Sequence, residues 1–471
     1  MSPTLSHAAV LATSACPRQQ LTRPLCRAYT NSTAAWRVPG ASFTRGALRG
    51  SSGTLPLKCL RDSSTSYGST FAPFSSPSRF KSDMSVHRTK YAAVVCGGGP
   101  AGITVLGNLL ERKVGPVLWV DDLFEAGRVN KAYREVPSNT KVKLFVDFAE
   151  AVSPFQKILK ETPSPHAVDY LRGLPQDTGC DLGYAADMCL LLTEGLKKAP
   201  GVEARQGRVT DAVLSETNDW VVNVKLSSGE TSKAISSRVI LCTGSSPTNQ
   251  QLPVSISDLS PLELDHALSP TLLAKSLPKE STTVAVIGAS HSAVLVLINL
   301  YNLASTTHPD LKIKWFTRHP LRYAEFMEGW IKRDNTGLKG AAAAWAKENL
   351  EPAKFGSSPV SRFIQKIAYE KENETRTYEQ ELAGCNRYVQ AIGYTRDPLP
   401  GLKDAAGSDI TYNYQPDTGS FKNVDGKQIP GLFGAGIAWP ERVTDPEGSV
   451  EWAVGFWKFM RYAKRVVPDW N

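Results

Sequence analysis

Two copies of one local pattern, a short apolar strand that runs through a small-residue turn into a helix, constrain this chain more than any other feature. The first copy reads YAAVVC, GGGPAG and ITVLGNLL, and the second reads VAVI, GASHSA and VLVLINLY. Both strands are rich in branched apolar residues, and both helices repeat apolar residues at helical spacing. A strand that passes through such a turn into a helix begins a parallel βαβ unit. The sequence therefore predicts an α/β fold with two such units.

The first turn has small residues where a phosphate-binding turn needs them. Glycine at Gly97 permits the tight turn, at Gly99 it lets the backbone approach a pyrophosphate, and at Gly102 it lets the helix pack on the strand. Pro100 and Ala101 open the helix, whose N-terminus faces the phosphates in such folds. We expect these five residues to bind a dinucleotide.

Two acids complete the first unit. The next strand, VLWV, ends at Asp121 and Asp122, about twenty residues beyond the glycines. A carboxylate at this place accepts hydrogen bonds from the adenosine ribose. A glycine motif alone is weak evidence, but a complete βαβ unit with an acid at this distance is specific. We therefore expect Asp121 or Asp122 to bind the ribose.

The second turn departs from the glycine pattern. It begins at Gly288, but Ser290 replaces the middle glycine and Ala293 the last, with Ser292 between them. The strand that follows leads into Arg318 rather than an acid. An acid there would favour NADH, whereas a guanidinium suits the extra ribose phosphate of NADPH. These residues predict a second dinucleotide site that takes NADPH, with NADH left open.

With two such turns the chain resembles the flavoproteins that have two Rossmann-like dinucleotide-binding domains. This group includes the pyridine nucleotide-disulfide oxidoreductases and the flavin-containing and N-hydroxylating monooxygenases. The resemblance covers about residues 91–465, and two further segments carry it, ILCTGSSP (240–247) and YVQAIGY (388–394). Both are similar to the ATG-type segments that link the two domains. The resemblance implies FAD in the first domain and a nicotinamide nucleotide in the second.

The predicted domain order places the NAD(P) domain inside the FAD domain. The parts are a leader (1–90), the first part of the FAD-binding domain (91–280), the NAD(P)-binding domain (281–395) and the returning part of the FAD-binding domain (396–471). Alternating residues over 202–209, 212–215 and 220–226 predict the separate strands of a β-meander in the first part. The Pro-rich stretch 147–181 predicts an irregular loop over a cleft, and the last helix is predicted over about 449–466.

The cysteine spacing helps to distinguish the disulfide reductases of this group from its monooxygenases. The eight cysteines contain no CxxC or CxxxxC pair, which argues against dithiol relay chemistry. The late segment GLFGAG, in which we expect Gly434 and Gly436 to face the flavin, is followed by Ile437, where the reductases tend to have an acid. The reductase pattern is therefore broken at both places.

The segment VPSNTKVKLFVDF (136–148) is instead similar to the part of flavin monooxygenases where an Asn-Thr pair lies near the flavin. By that resemblance Asn139 lies beside the flavin and the nicotinamide and is a candidate catalytic residue. The monooxygenase fingerprint FxGxxxHxxx(Y/F) is absent. His266 stands at roughly its place, and we expect it to be an ordinary polar loop residue.

Two segments have two readings each. Residues 322–350, which lie inside the second domain, either line a substrate pocket or form a packing or subunit contact. Glu451 and Trp452, placed by the prediction in the last helix, either help to form the flavin pocket or pack that helix.

The net charge of +9 belongs to the leader. Residues 1–90 hold 12 of the 54 basic residues and 2 of the 45 acidic ones, so the remainder has 42 basic and 43 acidic residues. A near-neutral body argues against a nucleic-acid partner. A leader rich in Ser, Thr, Ala and Arg is typical of a transit peptide and predicts a mitochondrial location, with a cytoplasmic form starting at Met84.

Together these features predict an FAD-dependent NAD(P)H oxidoreductase, monooxygenase-like, that passes hydride from NADPH to FAD and then acts on oxygen or an organic acceptor. A reductase that serves a quinone or a protein, and a non-catalytic redox sensor, remain alternatives. We expect a small-molecule substrate, no transmembrane segment, because no stretch reaches about 18 apolar residues, and no metal, because no Cys/His spacing suits one. The residues do not indicate the oligomeric state.

Overall fold

The computed structural model describes residues 90–470. Apart from Lys90, the predicted leader lies outside the described residues, and so does Met84. No helix of the described part is long and apolar enough to cross a membrane. Strands and helices are numbered below in chain order.

The first stretch of the chain alternates strands and helices. Its strands are β1 (Lys90–Tyr91), β2 (Ala93–Cys96), β3 (Val117–Asp121), β4 (Val202–Leu214), β5 (Trp220–Leu226), β6 (Thr231–Ser236) and β7 (Val239–Leu241). Its helices are α1 (Pro100–Glu111), α2 (Arg128–Lys131), α3 (Val142–Ala149), α4 (Ser153–Glu161), α5 (Ala167–Arg172) and α6 (Leu182–Lys197).

The middle stretch repeats this alternation. Its strands are β8 (Ser245–Pro247), β9 (Ser260–Pro261), β10 (Thr283–Ile287), β11 (Lys312–Thr317), β12 (Glu325–Phe326), β13 (Ile331–Lys332), β14 (Ile364–Ala368), β15 (Arg387–Gln390) and β16 (Tyr394–Arg396). Its helices are α7 (Leu264–Leu268), α8 (Pro270–Ser276), α9 (His291–Thr306), α10 (Gly340–Asn349), α11 (Pro352–Phe355) and α12 (Glu374–Glu381).

The last stretch is mostly strands. They are β17 (Gly401–Lys403), β18 (Asn413–Gln415), β19 (Ser420–Lys422), β20 (Gln428–Gly434), β21 (Glu441–Thr444) and β22 (Val450–Ala453), followed by α13 (Phe456–Val466).

Two separate sheets confirm the α/β prediction. The first has eleven strands in the order β1-β6-β5-β4-β3-β2-β7-β20-β19-β18, with β17 beside β4. The second has the order β14-β11-β10-β15-β9, and all its pairs are parallel. Because β20 comes from the end of the chain and pairs with β7, the second sheet is inserted between parts of the first. Strands β8 and β16, in the two linkers, pair antiparallel.

The predicted β-meander is present as β4, β5 and β6, which pair antiparallel. Its first strand, however, is one continuous strand rather than two. The register shifts between Val209 and Asp211, so the chain absorbs an irregularity without ending the strand. The break expected from the sequence is therefore a β-bulge.

The prediction of an irregular loop over 147–181 is wrong, because this stretch contains the end of α3 together with α4 and α5. Pro154 lies in the first turn of α4, where proline costs no hydrogen bond. Phe155 is fully buried against α1, where a Cβ on Gly107 would lie 2.4 Å from its ring. The apolar residues thus build a core layer, and Pro154 marks a helix start.

The prediction for the last helix is wrong at its start. Helix α13 begins at Phe456, and the preceding residues form β22, which pairs with β21. Glu451 and Ala453 are buried whereas Val450 and Trp452 are exposed, which is the two-residue alternation of a strand. Glu451 and Trp452 therefore lie in a β-hairpin.

Candidate active site

Two glycines of the first turn, Gly97 and Gly102, lie where no larger side chain fits. Gly97 has a φ of +119°, and a Cβ there would lie 2.3 Å from the carbonyl oxygen of Cys242 on the neighbouring strand segment. A Cβ on Gly102 would lie 1.9 Å from the carbonyl oxygen of Gly97. Trp119 on β3 donates from Nε1 to the same carbonyl oxygen, at 2.9 Å. Both glycines are thus required by the packing of backbone on backbone.

A cradle for a phosphate lies at the start of α1. Gly99 is the N-cap residue, and no side chain of the described residues caps the helix there. A Cβ on Gly99 would meet only the Cα of Gly127, at 4.0 Å. Gly127, with a φ of +63°, was missed by the sequence analysis, although a glycine six residues after Asp121 was a usable signal. A Cβ on Gly127 would lie 3.1 Å from the Gly99 Cα, so the two glycines pack closely together. The free N–H groups at the start of the helix suit a pyrophosphate.

The late glycines close this cradle from the other side. Gly436 has a φ of +88°, and a Cβ there would lie 2.3 Å from the Cβ of Ala101, beside Pro100 in the first turn of α1. Gly434 ends β20, and a Cβ on it would lie 2.6 Å from the Trp439 ring. The structure therefore brings the late glycine segment to the first turn.

The two candidate ribose acids differ in position. Asp121 accepts from the Gly98 amide at 2.7 Å and from the Phe124 amide at 2.6 Å, so its carboxylate adjoins the first turn. Asp122 forms an ion pair with Arg208 at the surface. Of the two alternatives, Asp121 is the carboxylate placed beside the glycines.

The second turn has the backbone geometry of the first, with a side-chain cap that the first turn lacks. Gly288 has a φ of +132°, and a Cβ there would lie 2.4 Å from the carbonyl oxygen of Ala391. Trp315 on β11 donates from Nε1 to the Gly288 carbonyl oxygen at 2.8 Å, as Trp119 does to Gly97. Ser290 caps α9 by accepting from the Ala293 amide at 3.3 Å, and its hydroxyl donates to Ala391 at 2.9 Å. The added side chain therefore lies against its own helix and the neighbouring segment.

Arg318 follows directly after β11, at the carboxyl end of the strand next to β10. Its guanidinium is 39% exposed, and its Nη1 lies 3.9 Å from Oε1 of Glu374. Ser292, on the first turn of α9, faces the Tyr394 hydroxyl. The structure thus places Arg318 where a ribose phosphate is expected, with one acid nearby.

A polar cluster joins the two halves of the chain near these turns. Arg128 on α2 forms an ion pair with Asp265 on α7 and donates to the Ser246 hydroxyl. Tyr133 donates to Asp265 at 3.0 Å and lies 3.2 Å from the Tyr394 hydroxyl. Burial is the main cause that raises the pKa of Tyr133, so it stays protonated. His266, one residue beyond this acid, lies exposed on α7 and not in a loop.

Asn139 is exposed and lies beside residues 322–350, the segment for which a substrate pocket and a packing contact were both expected. Gly340 has a φ of +57°, and a Cβ on it would lie 3.5 Å from the Ser138 carbonyl oxygen and 3.6 Å from the Asn139 Cα. The start of α10 therefore packs on the Asn139 segment. Residues 334–340 therefore pack within the chain, as expected if residues 322–350 form a packing contact.

His291 and Lys339 are two residues of this region that the sequence analysis missed. His291 begins α9, and its Nδ1 is buried without a hydrogen-bond partner among the described residues. Burial, and then the charge of Lys339, lower the pKa of His291 to about 4, so the ring is neutral at pH 7. The motif GASHSA contained this histidine, but only the fold brings a lysine to it.

The five described cysteines are free. Cys96 and Cys242 flank the first turn and are buried. Burial raises the pKa of Cys96 to about 12 and also raises that of Cys242, so both are protonated thiols. Neither thiol is activated as a nucleophile.

Comparison with known proteins finds a family model, a relative and two solved structures that are similar to this chain. The model of the L-lysine 6-monooxygenase/L-ornithine 5-monooxygenase family matches residues 204–328. Monooxygenase AgnR1 of Paecilomyces divaricatus is 52% identical over 385 residues, which are 81% of this chain and 98% of that protein.

Two solved structures share the fold. The ornithine N-hydroxylase KtzI of Kutzneria sp. 744, solved with reduced FAD, NADP+ and L-ornithine, has a TM-score of 0.53 at 12% identity and covers 81% of this chain and 99% of that one. The ornithine hydroxylase PvdA of Pseudomonas aeruginosa has a TM-score of 0.53 at 11% identity, with 81% and 98% covered.

Proposed function

Because the chain belongs to the monooxygenase family that includes AgnR1, we propose that it is an FAD-dependent enzyme that takes hydride from NADPH and uses oxygen to modify a small organic molecule. The 52% identity over 98% of AgnR1 carries this proposal. It favours oxygenation over a reductase that serves a quinone or protein, and over a redox sensor. Two glycine turns, one on each of the two large sheets, support the cofactor pair, since KtzI has this fold and was solved with FAD and NADP+.

The first turn would hold FAD. Its pyrophosphate would lie at the N-terminus of α1, beside the closely packed Gly99 and Gly127, where the free amides would donate to phosphate oxygens. Gly436 keeps the late segment close to this point, and Asp121, which lies beside the first turn, would accept from the ribose. FAD supplies the hydride acceptor and the oxygen chemistry when bound. The chain itself provides the position of the group.

The second turn would hold the nicotinamide nucleotide at the N-terminus of α9. Gly288 and Ala293 allow the helix to approach the strand, and Ser290 and Ser292 lie at the mouth of the turn. Arg318, at the end of β11, supports NADPH through charge complementarity with a ribose phosphate. NADH remains the alternative coenzyme.

We propose an amine as the substrate class, because the matched family model describes monooxygenases of lysine and ornithine. Asn139 is the residue we expect beside the reacting groups, and Gly340 lies against it. Lys339, which precedes Gly340 in the chain, and the neutral His291 lie near each other, and they would set the polarity around this segment. No described acid or base is required for hydride transfer itself.

Anaerobic titration of the FAD-loaded protein tests the cofactor assignment. NADPH should bleach the flavin absorbance within seconds, and NADH should do so only at higher concentration. Under air, a panel of amines should then be screened for a product that gains one oxygen atom, with hydrogen peroxide measured in parallel. Absence of bound flavin, or no bleaching, would refute the proposal. Peroxide from every amine, with no oxygenated product, would refute the amine class.

The leader composition supports a second proposal, that the chain is directed to the mitochondrion and that a cytoplasmic form starts at Met84. Mapping the mature N-terminus in cell fractions tests it. A cytosolic product that starts at Met1 would contradict the targeting role.

A further inference from the structure

Glu451 is a buried carboxylate that belongs to neither of the two glycine turns. It lies on β22 and is 7% exposed. Its Oε2 accepts from the backbone amide of Asn335 at 3.0 Å and from Nδ2 of Asn335 at 3.2 Å, and its Oε1 accepts from the Thr336 hydroxyl at 2.5 Å. A buried carboxylate is stable only with such partners. The bonds join the C-terminal hairpin to a turn that lies between β13 and α10.

Two lysines strengthen the same junction from either side. Lys458 on α13 lies 2.7 Å from Oδ2 of Asp334 and donates to Oδ1 of Asn335 at 2.5 Å. Lys339 lies 2.7 Å from Oδ1 of Asp334 and donates to its carbonyl oxygen at 2.6 Å. Residues 334–336 are therefore held by six hydrogen-bonding contacts to the side chains of Glu451 and Lys458, besides the internal pair with Lys339.

The residues that follow this turn reach the proposed cofactor sites. Lys339 lies close enough to His291, at the second glycine turn, to lower its pKa. Gly340 packs on the Asn139 segment. Residues 334–340, called here the 334–340 turn, thus contact the nicotinamide side, the Asn139 side and the C-terminal hairpin. Glu451 holds the N-terminal end of this turn, at Asn335 and Thr336.

We propose that Glu451 is a positioning residue for the reaction, which holds the 334–340 turn so that Lys339 and Gly340 stay between the two cofactor sites. This role rests on the proposed function, because it acts on the geometry of hydride transfer. Displacements of about 1 Å from remote changes can lower the rate of such a step by about 10²-fold. Glu451 itself does not touch the reacting atoms.

The chain offers variants that separate hydrogen-bond geometry from charge and from fold. Glu451→Ala removes all three bonds, whereas Glu451→Gln can keep them, since its amide oxygen accepts from Asn335 and its NH2 donates to the Thr336 hydroxyl. Thr336→Val removes one bond only. Glu441→Ala is the matched control, because Glu441 lies on the adjacent strand β21 and pairs with Arg465 instead.

The experiment uses the FAD-loaded full chain, with stopped-flow flavin reduction at saturating NADPH, NADP+ affinity by calorimetry, and hydrogen exchange of amides 334–340. For Glu451→Ala we expect reduction slowed at least about tenfold, faster exchange in the 334–340 turn and an NADP+ Kd within about threefold of wild type. Glu451→Gln and Glu441→Ala should remain within about threefold of the wild-type rate, and Thr336→Val should fall between.

Wild-type protein that NADPH does not reduce would refute the proposed function and this role together. If wild type is reduced and Glu451→Ala matches it, only the role of Glu451 is refuted. If Glu451→Ala and Glu451→Gln lower the rate of flavin reduction equally, the negative charge of Glu451 matters rather than its hydrogen bonds, and the positioning role is refuted. If Glu451→Ala does not fold, Thr336→Val decides, and a wild-type rate and exchange pattern in that variant would overturn the proposal.

Discussion

Replacing Gly97 by alanine should break the first turn, and the chain contains its own control. Gly97 has a φ of +119°, and the new Cβ would lie 2.3 Å from a backbone oxygen of Cys242. Gly229, between β5 and β6, has a φ of +91°, and apart from its chain neighbours no described heavy atom lies within 4 Å of its Cβ position. Gly97→Ala therefore adds backbone strain and a collision, whereas Gly229→Ala adds strain alone.

The magnitudes follow from these two terms. Forcing a side chain into a positive φ costs about 1–3 kcal/mol. Overpacking against an atom that cannot rotate away costs about a further 1–3 kcal/mol. We expect Gly229→Ala to lower the free energy of unfolding by about 1–3 kcal/mol and Gly97→Ala by about 2–6 kcal/mol. Since relief of the collision moves the Gly99 backbone, FAD affinity should fall at least about tenfold, or about 1.4 kcal/mol, in Gly97→Ala only.

Urea unfolding measures the stability of both variants, and fluorescence titration of the apoprotein with FAD measures the affinity. The comparison isolates the collision, because both glycines start from a left-handed backbone. Gly97→Ala protein that binds FAD as tightly as Gly229→Ala protein would refute the reasoning, because the turn would then tolerate the methyl group.

Three further outcomes are expected. Arg318→Ala should raise the KM for NADPH about tenfold and leave that for NADH unchanged, as measured by steady-state kinetics. Equal changes in the two KM values would contradict a contact between Arg318 and the ribose phosphate. Asn139→Ala should keep the rate of flavin reduction but raise the fraction of NADPH that ends as hydrogen peroxide, and unchanged coupling would contradict its flavin-side position. The unfolded chain protonates His291 at about pH 6.5 and the folded one at about pH 4, so the free energy of unfolding falls as the pH drops through this window, by up to about 3 kcal/mol. His291→Gln should remove that part of the pH profile in urea titrations, and an identical profile would exclude the buried neutral ring.

Local patterns were enough to locate the strands and turns that open both units. The prediction failed where local signals carry two meanings. Prolines after residue 147 were interpreted as loop residues, although Pro154 starts α4, because a proline at the first helical turn and a proline in a loop look alike without their neighbours. Residues 450–453 fit a helix until the partner strand β21 is known.

The site shows the same division. Asp121 and Asp122 were equivalent in sequence, and only the fold turns Asp121 towards Gly98 and Asp122 towards Arg208. His291 and Lys339 were missed, because their proximity joins residues that are distant in the chain.

By itself, the sequence determined the α/β class, the two glycine turns and the order of the two units, because these depend on residues close together in the chain. The tertiary structure alone decided which carboxylate faces the first turn and how Glu451 reaches Asn335, 116 residues away. The first contact depends on the placement of β3 beside β2, and the second on the placement of the C-terminal hairpin beside the 334–340 turn. These placements result from the packing of many side chains at once, which no local pattern encodes.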